Sequence, residues 1–453
     1  MFESIYEVKE NLIGQSGETL CSQVVQDLID KCHANGGGIV RFGKGTYVMS
    51  TVFLKSNVTI EIAEGAEILG SENFYDYAPH EAIDYYPYQD ASHTYFHHSM
   101  FVAIDCENVS IKGKGKIDMR SIWDEDGVRG EAILHRGPKC IALKNCKNVE
   151  ISGIEIYNAT DLAVYFAGCE NVDVYGLKME VYIDGISPDN SKNVRIHDCD
   201  IVTGDDGIVF KSSYTLNRLD ICKDIHVWDC KVKSNCSAIK FGTETNGGFE
   251  NILIENIDVI ETCISGIAIE SVDGAIVDGI IVRNITMRNV NVPIFMHIGK
   301  RMRGPKNRSI GAIRNIVLEN ITADGPYEPF RQIAWNYRRF IENNRLGLFE
   351  VQPSRPRYDG LISNVCGLKD YPIENVLLKN IHLKLQGGVQ EYSKEVTEKA
   401  DIYPEPYVYG TVLPAKGIYF RHVNGLKMEN VVVDTYKPDA REDFVFEKVD
   451  FKN

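Results

Sequence analysis

Apolar residues along this chain alternate instead of recurring at helical spacing, and the alternating runs return in one phrase. ENVSIKGKGKI begins at Glu107, KNVEISGIEI at Lys147, ENVDVYGLKM at Glu170 and KNVRIHDCDI at Lys192. The phrase continues as KDIHVWDCKV from Lys223, ENILIENIDV from Glu250, RNIVLENITA from Arg314 and ENVLLKNIHL from Glu374. A period of two in Val- and Ile-rich runs is that of a strand with one buried face. The return after 22 residues from Asn171 to Asn193, and after 27 from Asp224 to Asn251, makes each phrase one coil of a stack. The expected fold is therefore all-β: a single-stranded, right-handed parallel β-helix, a solenoid whose inward side chains form the core. The recurring Asn suits a tight turn, because it tolerates left-handed backbone and its amide can ladder with the Asn above and below.

One stretch departs from the two-residue period. From Glu18 to His33, the residues Leu20, Val24, Val25, Leu28, Ile29 and Cys32 fall on one helical face, and the pattern stops at Gly36-Gly37-Gly38. This reads as an N-terminal capping helix over the first coil. The layout expected is one β-helix domain over residues 1–453, with the cap and first strands in 1–75 and the last coils in 372–453. Two insertions, 76–100 and 325–371, interrupt the period; the first is rich in Tyr and His, the second holds Trp335, Tyr337, Arg338 and Arg339. Insertions in a solenoid become loops on one side, so these aromatics either line a binding side or form local mini-cores.

Composition narrows the partners. A net charge of −15 argues against nucleic acid or an anionic membrane, yet leaves room for an acidic small substrate at a locally basic site. No run approaches the roughly 18 apolar residues that span a bilayer. The start, MFESIYEVKENLIGQ, shows neither a basic n-region nor an apolar h-region, so a cytoplasmic location is expected. The 12 cysteines are scattered without CxxC pairs, several (Cys140, Cys199, Cys230) inside apolar runs, which reads as buried free thiols in a reducing compartment.

Candidate chemistry starts at TGDDGIVFKS, where Asp205 and Asp206 stand together before an apolar run. Alone, a D-G pair reads equally well as a solvated turn. Aligning the strands that follow each bend changes the picture. Asp184-Gly185-Ile186-Ser187-Pro188-Asp189 falls over Asp206-Gly207-Ile208-Val209-Phe210-Lys211, then over Ser237 to Gly242, Ser265 to Glu270 and Val292 to His297. The third place is always Ile and points inward; the fourth and sixth places point out, and the sixth collects Asp189, Lys211, Glu270 and His297. A small residue in second place marks a bend that turns Asp184 and Asp206 outward, since buried unpaired carboxylates are costly. With coils about 4.8 Å apart, Asp184, Asp205 and Asp206 would form one exposed trio. Three carboxyls so close cannot all ionise easily, and one protonated beside one ionised is what cleavage of a glycosidic bond needs.

These segments resemble the polygalacturonase family, glycoside hydrolase family 28. YIDGISPDNSKNVRIHDCDIVTGDDGIVFKS is similar to its Asn-Thr-Asp and Asp-Asp segments, and the opening from QSGETL to EILGS and the closing GIYFRHVNGLKMENVVVD are similar in style. The resemblance implies Asp205 as general acid, Asp184 and Asp206 as the pair that activates water, inversion at the anomeric carbon, and no metal. It also exposes departures: Tyr182-Ile183 replaces Asn-Thr, Cys236-Ser237-Ala238 replaces Gly-His-Gly, and Ala268-Ile269-Glu270 replaces Arg-Ile-Lys. A Glu where the family has Lys repels a uronate carboxylate. Lys211, Lys240, Glu244, Glu270, His297 and Arg301 are the candidate substrate contacts, with His297, Lys300, Arg301 and Arg303 as a basic run in place of the missing grip. Each is otherwise a solvated charge or a cross-coil ion pair, such as Lys211 with Glu270. The function expected is an inverting glycoside hydrolase acting on pectin-derived or related plant oligosaccharides, galacturonate- or rhamnogalacturonan-type, with an altered subsite. The alternatives are a uronate lyase or epimerase, or a noncatalytic carbohydrate-binding β-helix.

Overall fold

The structure, a computed structural model, describes residues 4–8, 20–122, 136–325 and 361–452. It groups into two compact units, Met1–Thr203 with Ser213–Val227, and Gly204–Ser212 with Trp228–Asn453. Each is wound as a right-handed parallel β-helix.

In the first unit the helix Ser22–Ala34 buries Val25, Ile29 and Cys32. Gln26 fastens it by accepting from the Phe53 N–H at 2.7 Å and donating to the Phe53 carbonyl at 3.0 Å. The chain leaves the helix through Gly36 and Gly37 at φ +92° and +110°; a Cβ on Gly37 would lie 2.3 Å from the Asn57 carbonyl, so only glycine fits. The expected cap is present, and Glu18 and Thr19 lie outside the described residues. Beneath it, like residues stack: Ile60 on Ile111, Ile111 on Ile151, Val149 on Val172 and Val172 on Val194. A second strand column repeats the pattern through Ile68, Ile117, Ile156, Met179 and Ile201.

The insertion at 76–100 packs both on itself and on the first unit's coils, where Phe96 stacks on Tyr165 at 5.3 Å and the Tyr165 hydroxyl donates to the His93 carbonyl at 3.0 Å. His80 stacks on Tyr95 at 4.1 Å and Phe74 on His98 at 4.6 Å, the mini-core alternative. Residues 326–360 of the other insertion, with Trp335, Tyr337, Arg338 and Arg339, lie outside the described residues.

In the second unit the strands run longer than the alternating phrases suggest: Gly248–Ser271 and Ile276–Ile298 have 24 and 23 residues. Single left-handed residues, Asn256 at φ 57° and Asn284 at φ 56°, turn the chain without breaking the pairing. The core stacks Ile254, Val282, Leu318, Leu378 and Met428 in register.

The asparagine ladder forms in both units. In the first, each amide donates to the one before it, from Asn193 through Asn171, Asn148 and Asn108 to Asn57, at 2.6–3.0 Å. In the second, Asn430, Asn380, Asn320, Asn284 and Asn256 do the same at 3.0–3.1 Å, and Asn256 ends on Asp229.

Candidate functional site

Asp205 and Asp206 follow the strand Asp200–Thr203 and precede the strand Ile208–Ser212. Between them and the strand lies Gly207, where a Cβ would meet Val232 at 2.4 Å and the Ala238 carbonyl at 2.6 Å. Nothing larger fits, which is why the second place is small. The register of the next coils is the one the alignment gives: Ile208 on Ile239, Ile239 on Ile267, Ile267 on Ile294, and Glu270 on His297.

Asp206 is only 4% exposed. Its Oδ1 accepts from the Ser237 N–H at 3.1 Å and its Oδ2 lies 3.4 Å from Lys240 Nζ. The carboxylate thus reaches a fourth-place side chain and sits on the outer side of its strand. Asp205 is half-buried, and its carbonyl accepts from Ser234 Oγ at 2.6 Å. Asp184 belongs to the first unit, just before the strand Ile186–Asp189, and is 4% exposed; its carbonyl accepts from the Ala163 N–H at 2.9 Å. The exposed trio expected from sequence is corrected here: Asp184 and Asp206 are buried.

The outward fourth and sixth places of the second unit are also covered. The segment between strands Ile373–Gly387 and Ala415–Lys437 lies over them. Lys300 N–H donates to the Ala400 carbonyl at 2.6 Å, the Tyr403 hydroxyl pairs with Thr243 Oγ1 at 2.9 Å, and Lys240 donates to Glu405 at 3.1 Å. Glu405 and Tyr403 carry no repeat signal, and a Pro- and Tyr-rich stretch, IYPEPYVYG, was the one hint.

The candidate contacts fall into two groups, Lys211 and Arg301 around Glu244, and Lys240 beside Glu270, the register neighbour of His297. Lys211 pairs with Glu244 at 3.3 Å, and not with Glu270. Arg301, the member of the basic run expected to grip a carboxylate, is held by Asp273 through two nitrogens (Nε at 3.0 Å), lies 3.6 Å from Glu244, and donates to the Thr243 carbonyl at 2.8 Å. Burial works against its charge, but the Asp273 and Glu244 carboxylates outweigh it and hold the guanidinium above its ordinary range. His297 stacks on Phe295 at 5.8 Å, neither ring nitrogen is hydrogen-bonded, and burial pushes it down to about 4, so it is neutral. Glu270 is fully buried, and neither oxygen is hydrogen-bonded. Burial above all, with Glu405 and Asp206 adding to it against the pull of Lys240 and Arg301, holds its carboxyl well above the usual range, which favours the neutral acid.

Asp205, Asp206 and Cys236 place one donor atom each within 4.8 Å of one another. A cation is poorly served there, because the Lys240 ammonium already faces the Asp206 carboxylate at 3.4 Å. Elsewhere, a shallow groove of about 940 Å³ follows the first unit's ladder past Asn57, Asn108, Asn148, Asn171 and Tyr175. Its amides already bond one another, which is a stacking role.

A parallel β-helix that carries paired aspartates at a bend is the class of protein the fold and site define. Residues 54–327 match the glycosyl hydrolases family 28, and the chain belongs to that family. It is 25% identical to a probable polygalacturonase of Vitis vinifera over 269 residues, covering 56% of this chain and 54% of that one. The chain spans about half the length of the curated relatives it matches. In fold it resembles the family 28 exopolygalacturonase of Yersinia enterocolitica, with TM-score 0.72, 19% identity, and 99% and 78% of the two chains covered. The hyperthermoactive exopolygalacturonase of Thermotoga maritima gives TM-score 0.68 at 18% identity, covering 96% and 93%.

Proposed function

We propose that the chain is an inverting glycoside hydrolase acting on pectin-derived or related plant oligosaccharides of galacturonate or rhamnogalacturonan type. The observation that carries this is the pair of adjacent aspartates at one bend, with an ammonium 3.4 Å from Asp206; on this reading Asp206 works as the carboxylate and Asp205 as the carboxylic acid, bearing a proton. Asp205 donates that proton to the leaving oxygen. Asp206 takes one from the attacking water, and the family correspondence in sequence adds Asp184 to that task. Metal-assisted lyase chemistry is disfavoured by the same ammonium. An altered subsite is supported by Ala268 and Glu270, both fully buried, with Ala268 packed near Leu361. Glu270 offers a uronate no cation. Lys211, Lys240, Glu244, His297 and Arg301 then act from behind the sugar-contacting surface. A cytoplasmic, reducing location is part of the reading, on twelve cysteines outside any disulfide.

The test is product analysis on oligogalacturonides, rhamnogalacturonan fragments and aryl-glycosides. The expected result is a hydrolytic product of inverted configuration, reduced at least a hundredfold in Asp205→Asn, in line with the ~10²–10⁴ that general acid–base groups supply. An unsaturated product, or turnover untouched by Asp205→Asn, refutes it. Binding without turnover on every substrate returns the chain to a carbohydrate-binding role.

A further inference from the structure

Lys240 stands at the centre of a buried charge cluster that coil stacking does not require. Its ammonium, 2% exposed, lies 3.1 Å from Glu405, 3.4 Å from Asp206, 3.9 Å from Glu270 and 6.0 Å from the centre of the Tyr403 ring. These come from every element packed on it: the bend at Asp206, the strand Gly248–Ser271, and the segment carrying Tyr403 and Glu405. Arg301, held by Asp273 and Glu244, is the other cation acting on Glu270. Burial works against the charge on Lys240, yet the Asp206 and Glu405 carboxylates outweigh it and hold the ammonium above its ordinary range. Three buried carboxyls around one ammonium cannot all be ionised. Glu270, farthest away and without a hydrogen bond, is the one that stays neutral, which leaves Lys240 shared between Asp206 and Glu405.

We propose that Lys240 is a positioning residue for the hydrolysis proposed above, holding Asp206 ionised and aimed, and that Glu405 sets its strength by competing for the same ammonium. The two partners pull in opposite senses. Without Lys240, Asp206 is left in a buried setting among the Asp205, Glu270 and Glu405 carboxyls and the Cys236 thiol, and takes up a proton at higher pH. Without the Glu405 charge, Asp206 has the ammonium to itself and stays ionised to lower pH.

The variants are Lys240→Met, Lys240→Arg and Glu405→Gln, each checked for folding by circular dichroism and thermal melting. On a substrate the native enzyme cleaves, Lys240→Met is expected to move the acid limb of the kcat/KM profile up by about one pH unit or more and to lower kcat below that limb. Lys240→Arg should leave the limb near its native place, and Glu405→Gln should move it down. The same order is expected for the Asp206 carboxyl carbon in a ¹³C NMR titration of aspartate-labelled protein, its signal identified by loss in Asp206→Asn. Should Lys240→Met fail to fold, Glu405→Gln decides alone. A limb and a carbon titration that stay put in whichever variants fold overturn the proposal. The carbon titration needs no turnover, so it judges Lys240 even if no substrate is cleaved, and that latter result counts only against the hydrolase reading.

Discussion

Glu270 and His297 lie side by side in register, both buried and neither hydrogen-bonded, and they tie folding to pH in opposite senses. His297 is pushed from 6.5 to about 4 by burial. The unfolded chain therefore gains a proton below pH 6.5 that the folded chain refuses until about 4, so stability is full above 6.5 and declines as pH falls. The loss amounts to roughly 3 kcal/mol across that window. Urea titrations of His297→Phe between pH 4 and 7 should show this slope flattened. Glu270 acts the other way: its folded carboxyl keeps a proton the unfolded chain releases above about 4.5, so stability falls as pH rises beyond that value. Glu270→Gln should therefore be as stable as the native protein or more so at pH 7, while unaltered stability trends with pH in that variant would contradict a buried neutral carboxyl. Sequence placed both residues in the sixth, outward position of their strands. It did not reveal their burial, because the segment bearing Tyr403 and Glu405 has no repeat to align against the column it covers.

At the level of elements, two local devices set the coils. Asn284 combines left-handed backbone at φ 56° with an amide that links Asn256 to Asn320. Asn284→Gly keeps the backbone and loses the rungs, about 1 kcal/mol; Asn284→Ala adds the ~1–2 kcal/mol of left-handed strain. Chemical denaturation should rank native above Gly above Ala, and equal losses would show that the turn carries no strain. Gly207→Ala forces a methyl against Val232 and the Ala238 carbonyl, costing about 1–3 kcal/mol, and displaces Asp206 as well, so kcat should fall in addition to the melting temperature. Strand existence, the Ile-centred register and the αL asparagines were readable from the sequence because each obeys a short period. Strand length was not, since a one-residue turn leaves the alternation almost unbroken. Nor was the fate of Asp206, which depends on Ser237 and Lys240 one coil away.

Across the whole chain, none of the twelve cysteines is in a disulfide, and Cys236 is the one among them that is not fully buried. A thiol reagent should consume about one equivalent in the native protein and twelve after denaturation. Because Cys236 neighbours Asp205 and Asp206, that single modification should also depress turnover. Several thiols consumed at once in the native state would contradict the packing. The expectation of buried free thiols came from cysteines sitting inside apolar runs, and the family from the segments around Asp184 and Asp205. The charge network from Lys211 to Arg301 escaped the sequence reading, because Asp273 lies in a bend and Glu244 near the end of the strand Ser237–Thr245, and the partners of both are set only by stacking. The ladder carries a further consequence. Successive rungs are separated by as few as 22 residues between Asn171 and Asn193 and as many as 60 between Asn320 and Asn380, yet the amide contacts stay at 2.6 and 3.1 Å. A coil can therefore swallow extra chain without shifting its neighbours, so excursions can be grafted, trimmed or exchanged between rungs as independent cassettes while the winding keeps its pitch.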